Sequence, residues 1–263
     1  MNIIEREMLR LLKDLKTNYN VISVKAEFEA EGSRIEEMMR LKDITARVPL
    51  PIILKIGGAE AVTDIYNGVI LGVEGLVSPM IETAYAASKF LDVINSYVQP
   101  DNQEDIDFAI NIETITALKN IHEILSLDKI ALLSSITFGR SDFSRSLGLT
   151  KKDVDNETIY SHVENVAYAV HNQNIHFTVG GNVTAHSVPF LKRLYHKKLI
   201  DKYETRKIVF SANALLSNPE EGIHKALEFE LLWLKSKRRF YSKIKEEDEQ
   251  RIEDLEKRLN VLS

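Results

Sequence analysis

The chain contains no cysteine, which excludes disulfides, thiolate-bound metals and a cysteine nucleophile. Proline and glycine are sparse, 6 and 11 in 263 residues, and no long linker, repeat or low-complexity segment is visible. No uncharged run reaches the length that spans a bilayer, so no membrane partner is expected. Positive charge is not in excess either. Lys and Arg total 34 against 39 Asp and Glu, a net charge of −5, and nucleic acid is not an expected partner. The first residues lack a signal-peptide hydrophobic region. Met1 to Lys16 instead read as an amphipathic helix with Ile4, Met8, Leu11, Leu12 and Leu15 on one side, and a cytoplasmic protein is expected.

What is present is an ordinary soluble composition, 44% hydrophobic and 28% charged, on a chain long enough to bury a substantial core. After the first helix, strands and helices alternate. The apolar and alternating segments predict strands at 21–29, 52–57, 75–81, 107–113, 130–137, 175–180 and 207–213. Helical periodicity predicts helices at 34–47, 59–72, 83–98, 116–127, 156–172 and 187–199, with a long one from about Pro219 onward. Repeated βα units imply a parallel sheet. Strand parity favours closure: Ile22, Val24, Ala26 and Phe28 oppose Ser23, Lys25, Glu27 and Glu29, and Ile110 and Ile112 oppose Asn111 and Glu113. One steadily apolar face and one increasingly polar face suit a (β/α)8 TIM barrel better than an open sheet covered on both sides. Seven strands are clear, and the eighth is expected as an irregular segment near the N-terminus. The barrel is expected over residues 1–234, followed by a charged helical extension, 235–263. In that extension Ile252, Leu255, Leu259 and Leu262 follow helical spacing. Two readings stay open, a solvated terminal helix or one that packs on a neighbouring subunit.

The chemistry-bearing residues gather at predicted strand ends, where barrel sites form. Glu113 closes one strand, and Asp142 follows the next in a Gly139-Arg140-Ser141-Asp142 turn. Two carboxylates from adjacent strands, completed by water and substrate oxygens, suit Mg²⁺ or Mn²⁺. Their plain structural alternative is capping of the following helix and turn. Lys25 and Lys55 are expected to point inward, with Glu27 or Glu29 as counter-ions. Each is either half of a structural ion pair, a cation that stabilises an enolate, or a Schiff-base amine. Gly57-Gly58 and Gly180-Gly181-Asn182 precede helices and offer backbone amides to an anion. His176 and His186 lie at or beyond one strand, and Glu82-Thr83 reads as a helix start.

Ile112-Glu113-Thr114 with Ala117, Asn120, Glu123 and Ile124, then Gly139-Arg140-Ser141-Asp142-Phe143-Ser144 and Ser146-Leu147-Gly148, resemble the signature of the HpcH/HpaI aldolase and citrate lyase superfamily. Ser78-Pro79-Met80-Ile81-Glu82-Thr83 resembles that family's preceding strand. The resemblance implies a barrel that makes or breaks a carbon–carbon bond of a 2-oxo acid through a pyruvate-type enolate, with an aldehyde as the second molecule. It implies that Glu113 and Asp142 hold a divalent metal, and that the Gly139, Arg140 and Ser141 amides hold the substrate carboxylate. Lys55 falls where the aldolases place an arginine, and Glu27 falls on the glutamate of their Glu-His pair. Phe28 stands where the histidine base would be, so a glutamate, His176 or a metal-bound water is left as the substitute, or the reaction is not a standard aldol cleavage; Lys25 and Lys55 remain candidate catalytic cations. Related lyases form rings, so a homo-oligomer is implied. Two further readings remain: an acyl-CoA ester lyase of the citrate lyase beta type, and a catalytically silent barrel acting as a binding or assembly protein.

Overall fold

Eight strands close into a barrel in sequence order. The computed structural model describes residues 1–260; Leu262, part of the predicted terminal stripe, lies outside them. The strands are β1 (Val21–Glu27), β2 (Ile52–Lys55), β3 (Gly75–Ser78), β4 (Asp107–Ile112), β5 (Ser135–Gly139), β6 (His176–Gly180), β7 (Lys202–Glu204) and β8 (Ile208–Ser211). The longer helices are α1 (Ile3–Asn18), α2 (Ile35–Ala46), α3 (Val62–Leu71) and α4 (Ala84–Tyr97). Short α5 (Pro100–Asp105), α6 (Ile115–Lys119), α7 (Ile121–Leu125) and α8 (Arg140–Ser146) follow, then α9 (Glu157–His171), α10 (Val188–His196) and α11 (Pro219–Asn260).

All seven predicted strands are present. The eighth is not near the N-terminus; it is β7, three residues long and just before β8. Only Thr205, Arg206 and Lys207 join the two strands. A parallel crossover needs a dozen or more residues, so three residues force a hairpin, and β8 runs antiparallel to β7 and to β1. The other pairs, β1 through β7, are parallel. Thr205 closes the hairpin: its amide donates to the Ile208 carbonyl (2.9 Å) and its hydroxyl accepts from the Ile208 amide (3.2 Å).

The reversal redirects the end of the chain. β8 leaves the barrel at the end where β1 begins, and α11 climbs antiparallel to α1. Lys225 meets Asp14 near the base, and Ser236 meets Asn2 at the start of α1. The helix is continuous across residues 234–235 and still touches α2 through Lys237–Glu37 and Arg34 over Tyr241. From Ser242 to Leu259 every residue is exposed, a free arm of about 27 Å at 1.5 Å per residue. Among the described residues no helix is long and apolar enough to cross a membrane.

Alternation inside the barrel follows the predicted parity. Val24, Ala26, Ile110, Ile112, Phe177 and Val179 are buried in the apolar layer beneath the helices. The opposite face of β1 and β4 carries Lys25, Glu27 and Asn111 toward the interior, joined there by Thr137 of β5 and Glu204 of β7.

Candidate active site

At the C-terminal ends of the parallel strands lies a cavity of about 130 Å³, lined by Lys25, Glu27, Lys55, Asn111, Glu113, Gly139, Ser141, Asp142, Gly181, Glu204 and Arg206 among others. Three cationic side chains and four carboxylates share this small space. The geometry begins with Glu113, the residue after β4. It does not cap the following helix; Thr114 does so, its hydroxyl accepting from the Ala117 amide (3.1 Å). Glu113 turns inward and is 5% exposed. Its Oε1 accepts from the Met80 amide (2.9 Å), and the Asn111 side-chain amide lies at 3.3–3.4 Å from its carboxylate oxygens. Burial pushes its pKa up and the nearby Asp142 charge pushes it further, with Met80 and Lys55 opposing.

Gly139 is what makes this placement possible. A Cβ there would lie 2.4 Å from Glu113 Oε2, so the carboxylate occupies the space of the missing side chain. Asp142 is in the first turn of α8, a short helix read from the sequence as a turn, and its side chain is 50% exposed. Ser146 ties α8 to the start of α6: its hydroxyl accepts from the Ile115 amide (2.9 Å). Asn120 donates to the Glu82 carbonyl (2.8 Å), and Thr114 donates to the Glu82 carboxylate (2.6 Å). The polar residues of the sequence signature thus fix the turns that present Glu113 and Asp142.

Glu113 and Asp142 supply only hard oxygen donors, and no cluster of three or more His, Asp or Glu suited to a metal exists among the described residues. A cation such as Mg²⁺, which keeps several waters and takes one or two carboxylates, fits that donor set. Asn111 Oδ1, beside Glu113, is buried and lacks a hydrogen-bond donor, an unpaired acceptor next to the carboxylate.

Gly181, at φ +82°, packs over the start of α8. A Cβ there would lie 2.4 Å from the Ser141 amide nitrogen and 2.5 Å from that of Arg140; only a glycine lets the backbone lie this close to the start of α8. The Arg140 side chain turns away, fully buried. It pairs with Asp155 and donates to the Gly180 and Gly181 carbonyls at 3.0 and 3.1 Å, clamping the glycine turn. Gly57, by contrast, gives its amide to Asp64 (2.7 Å), so the first glycine pair does not present that donor to a ligand.

The two lysines take different partners. Lys55 lies 2.8 Å from Glu29 and 3.6 Å from Glu27. Burial alone would lower its pKa, but Glu27, Glu29 and Glu113 outweigh burial and hold it above the ordinary lysine value. A charged Lys55 suits anion stabilisation and opposes Schiff-base formation, which needs the free amine. Lys25 pairs with neither Glu27 nor Glu29 but with Glu204 of β7. Sequence reasoning missed Glu204, Thr205 and Arg206 because β7 and the hairpin turn that follows it went unseen. His176 is not in the cavity. It begins β6 at the opposite end of the barrel, 3.5 Å from Asp201, and His186 is exposed outside the pocket.

A closed α/β barrel with a carboxylate-rich pocket at its strand ends defines the class, and the comparisons define it further. Residues 32–185 match the model of the HpcH/HpaI aldolase/citrate lyase family, and the chain belongs to that family. Its fold is similar to the citrate synthase SbnG (TM-score 0.62, 16% identity, 88% of this chain and 89% of that one). It is also similar to an HpcH/HpaI aldolase from Desulfitobacterium hafniense (TM-score 0.60, 13% identity, 86% and 89%). A third likeness is a citrate lyase from Burkholderia xenovorans (TM-score 0.60, 10% identity, 82% and 73%). No curated protein matches the chain by sequence.

Proposed function

We propose that the protein is a divalent-metal-dependent carbon–carbon lyase of the aldolase type, acting on a 2-oxo acid and an aldehyde. The observation that carries this reading is the buried Glu113 carboxylate, set into the space left by Gly139 beside Asp142 and Lys55. A carboxylate kept there against its desolvation cost needs a counter-charge when ionised.

In this reading Glu113 and Asp142 hold Mg²⁺ or Mn²⁺, which supplies Lewis-acid polarisation of the keto group. The Arg140 and Ser141 amides, with the Ser141 side chain, receive the substrate carboxylate in the cavity that Gly139, Ser141 and Gly181 line. Lys55 stands opposite, its ammonium stabilising negative charge as the enolate forms. Glu27 is a counter-ion for Lys55; its Oε2 is buried without a hydrogen-bond donor. The same reading extends to assembly as a homo-oligomer, for which the exposed Leu227, Leu231 and Leu234 stripe of α11 offers apolar surface.

The test is hydrogen–deuterium exchange at the methyl group of pyruvate in D₂O, followed by NMR with Mg²⁺ or Mn²⁺ and then with EDTA. Metal-dependent exchange that Glu113→Gln abolishes is expected. Exchange that survives EDTA would assign the chemistry to Lys25 or Lys55 and overturn the metal reading.

A further inference from the structure

Gly139 and Gly180 are register partners at the ends of β5 and β6. Together they floor a notch with a wall on each side. Glu113 leans over Gly139 from β4. Glu204 leans over Gly180 from β7, and a Cβ at Gly180 would lie 2.9 Å from Glu204 Oε1 and 3.2 Å from its Cγ. Glu204 Oε1 is held by the Lys25 ammonium. Among the described residues nothing else hydrogen-bonds to this carboxylate, and Oε2 is not among the sealed, unpartnered atoms. Its second oxygen is therefore left to the cavity that it lines.

Glu204 also borders a second cavity deeper in the barrel, whose lining mixes Ile53, Val77, Ala109 and Val209 with Ser23, Thr137 and Thr178. The competing groups are otherwise committed. Glu27 is sealed against Lys55, His176 is at the far end, and Asp142 is the assigned metal ligand.

Resting on the lyase reading above, we propose that Glu204, positioned by Lys25, is the general base of the carbon–carbon cleavage. Its Oε2 takes the proton of the C4 hydroxyl. The O–H electron pair becomes the second bond of the aldehyde carbonyl as the C3–C4 bond breaks, and the C3–C4 pair passes into the enolate. The carboxylic acid so formed returns the proton to C3, giving the 2-oxo acid and restoring Glu204; synthesis reverses each step. Arrival of this base on the reversed hairpin of β7 and β8 replaces the histidine whose place is taken by Phe28.

The test is the rate of pyruvate methyl exchange with Mg²⁺, read in wild type, Glu204→Gln and Glu204→Ala. Loss of a general base predicts a fall of roughly 100-fold or more in the maximal rate, with the apparent KM for pyruvate within about threefold. In Glu204→Ala the space beside Gly180 admits formate, and formate at about 0.2 M restores roughly tenfold or more of the lost rate if a carboxylate base is what was removed. Because removing one partner of a buried pair destabilises, the double variant Lys25→Met/Glu204→Gln removes both charges and retains the fold; it too is expected to be silent. A maximal rate within about threefold of wild type in Glu204→Gln or in the double variant overturns the assignment, because general-base loss is worth far more. A folded Glu204→Ala that formate does not restore also overturns it, leaving a structural ion pair. Absence of exchange in the wild type overturns the lyase reading itself, and the assignment with it.

Discussion

The two walls of the glycine notch are built alike and reached differently. On the β4–β5 side, a glutamate just past the strand end fills the space of Gly139, and the following helices are fixed by Thr114, Asn120 and Ser146. On the β6–β7 side, a glutamate fills the space of Gly180, but it comes from a three-residue strand and a hairpin rather than a βα unit. Glu113 carries a raised pKa and only neutral hydrogen-bond donors, whereas Glu204 is neutralised in place by Lys25. A carboxylate without a cationic hydrogen-bond partner leaves its charge to an incoming cation, whereas the charge of Glu204 is already balanced by Lys25. The same backbone device thus sets up two different kinds of chemistry.

The comparison breaks most sharply at Glu113. Glu113→Gln is expected to lower metal-dependent exchange by about 1,000-fold, roughly 4 kcal/mol of transition-state stabilisation, and to weaken Mn²⁺ binding measured by calorimetry. Next is Gly139→Ala. Its methyl meets Glu113 Oε2 at 2.4 Å and Cβ at 2.8 Å, so the carboxylate must move, and a loss of about 100-fold is expected from a displacement near 1 Å. Gly180→Ala meets the end of a flexible side chain at 2.9 Å, and a smaller loss of about tenfold is expected, within the range of partial misplacement. Equal losses in the two alanine variants would show that the walls are functionally interchangeable.

The smallest effect is on stability. Below the unfolded glutamate pKa, about 4.3, Glu113 is protonated in both states and costs nothing by linkage. As pH rises from there through its elevated folded-state pKa, the unfolded state ionises more readily and the metal-free protein loses stability; above that window the penalty is constant. Metal-free Glu113→Gln is therefore expected to melt higher than wild type at pH 7 and no higher near pH 4. Saturating Mn²⁺ should raise the wild-type midpoint far more than that of the variant. A Glu113→Gln midpoint at or below wild type in the metal-free protein at pH 7 would remove the argument from burial.

The legibility of the two walls differs for physical reasons. Glu113 and Asp142 stand out because a strand of six residues has enough alternation to fix its face and its end, and because their turns require particular polar residues. Lys202-Tyr203-Glu204 has too few residues to display a period of two. One local cue was available: only three residues separate Glu204 from the clear apolar run at Ile208, too few for a helical crossover and enough for a hairpin. The Lys25–Glu204 pair spans 179 positions and has no local signature, so Glu27 and Glu29, neighbours on the same strand, look like better partners in sequence. The helical pattern at 116–127 is broken at Asn120, whose side chain reaches for Glu82; periodicity alone cannot show that a polar residue is spent on a distant carbonyl.

The reversed last strand also orders events during synthesis. β8 is the partner of β1, and α11 the partner of α1. β1 and α1 must wait for β8 and α11 before the barrel has a closing seam. Until then β1 is an unpaired edge carrying Lys25 without Glu204, a template open to pairing with another chain. The β7–β8 hairpin, a local structure, forms on a timescale of microseconds, but its docking to β1 closes the long loop between Val21 and Phe210. For this protein the slow and aggregation-sensitive step of folding is thus the same event that completes one wall of its site.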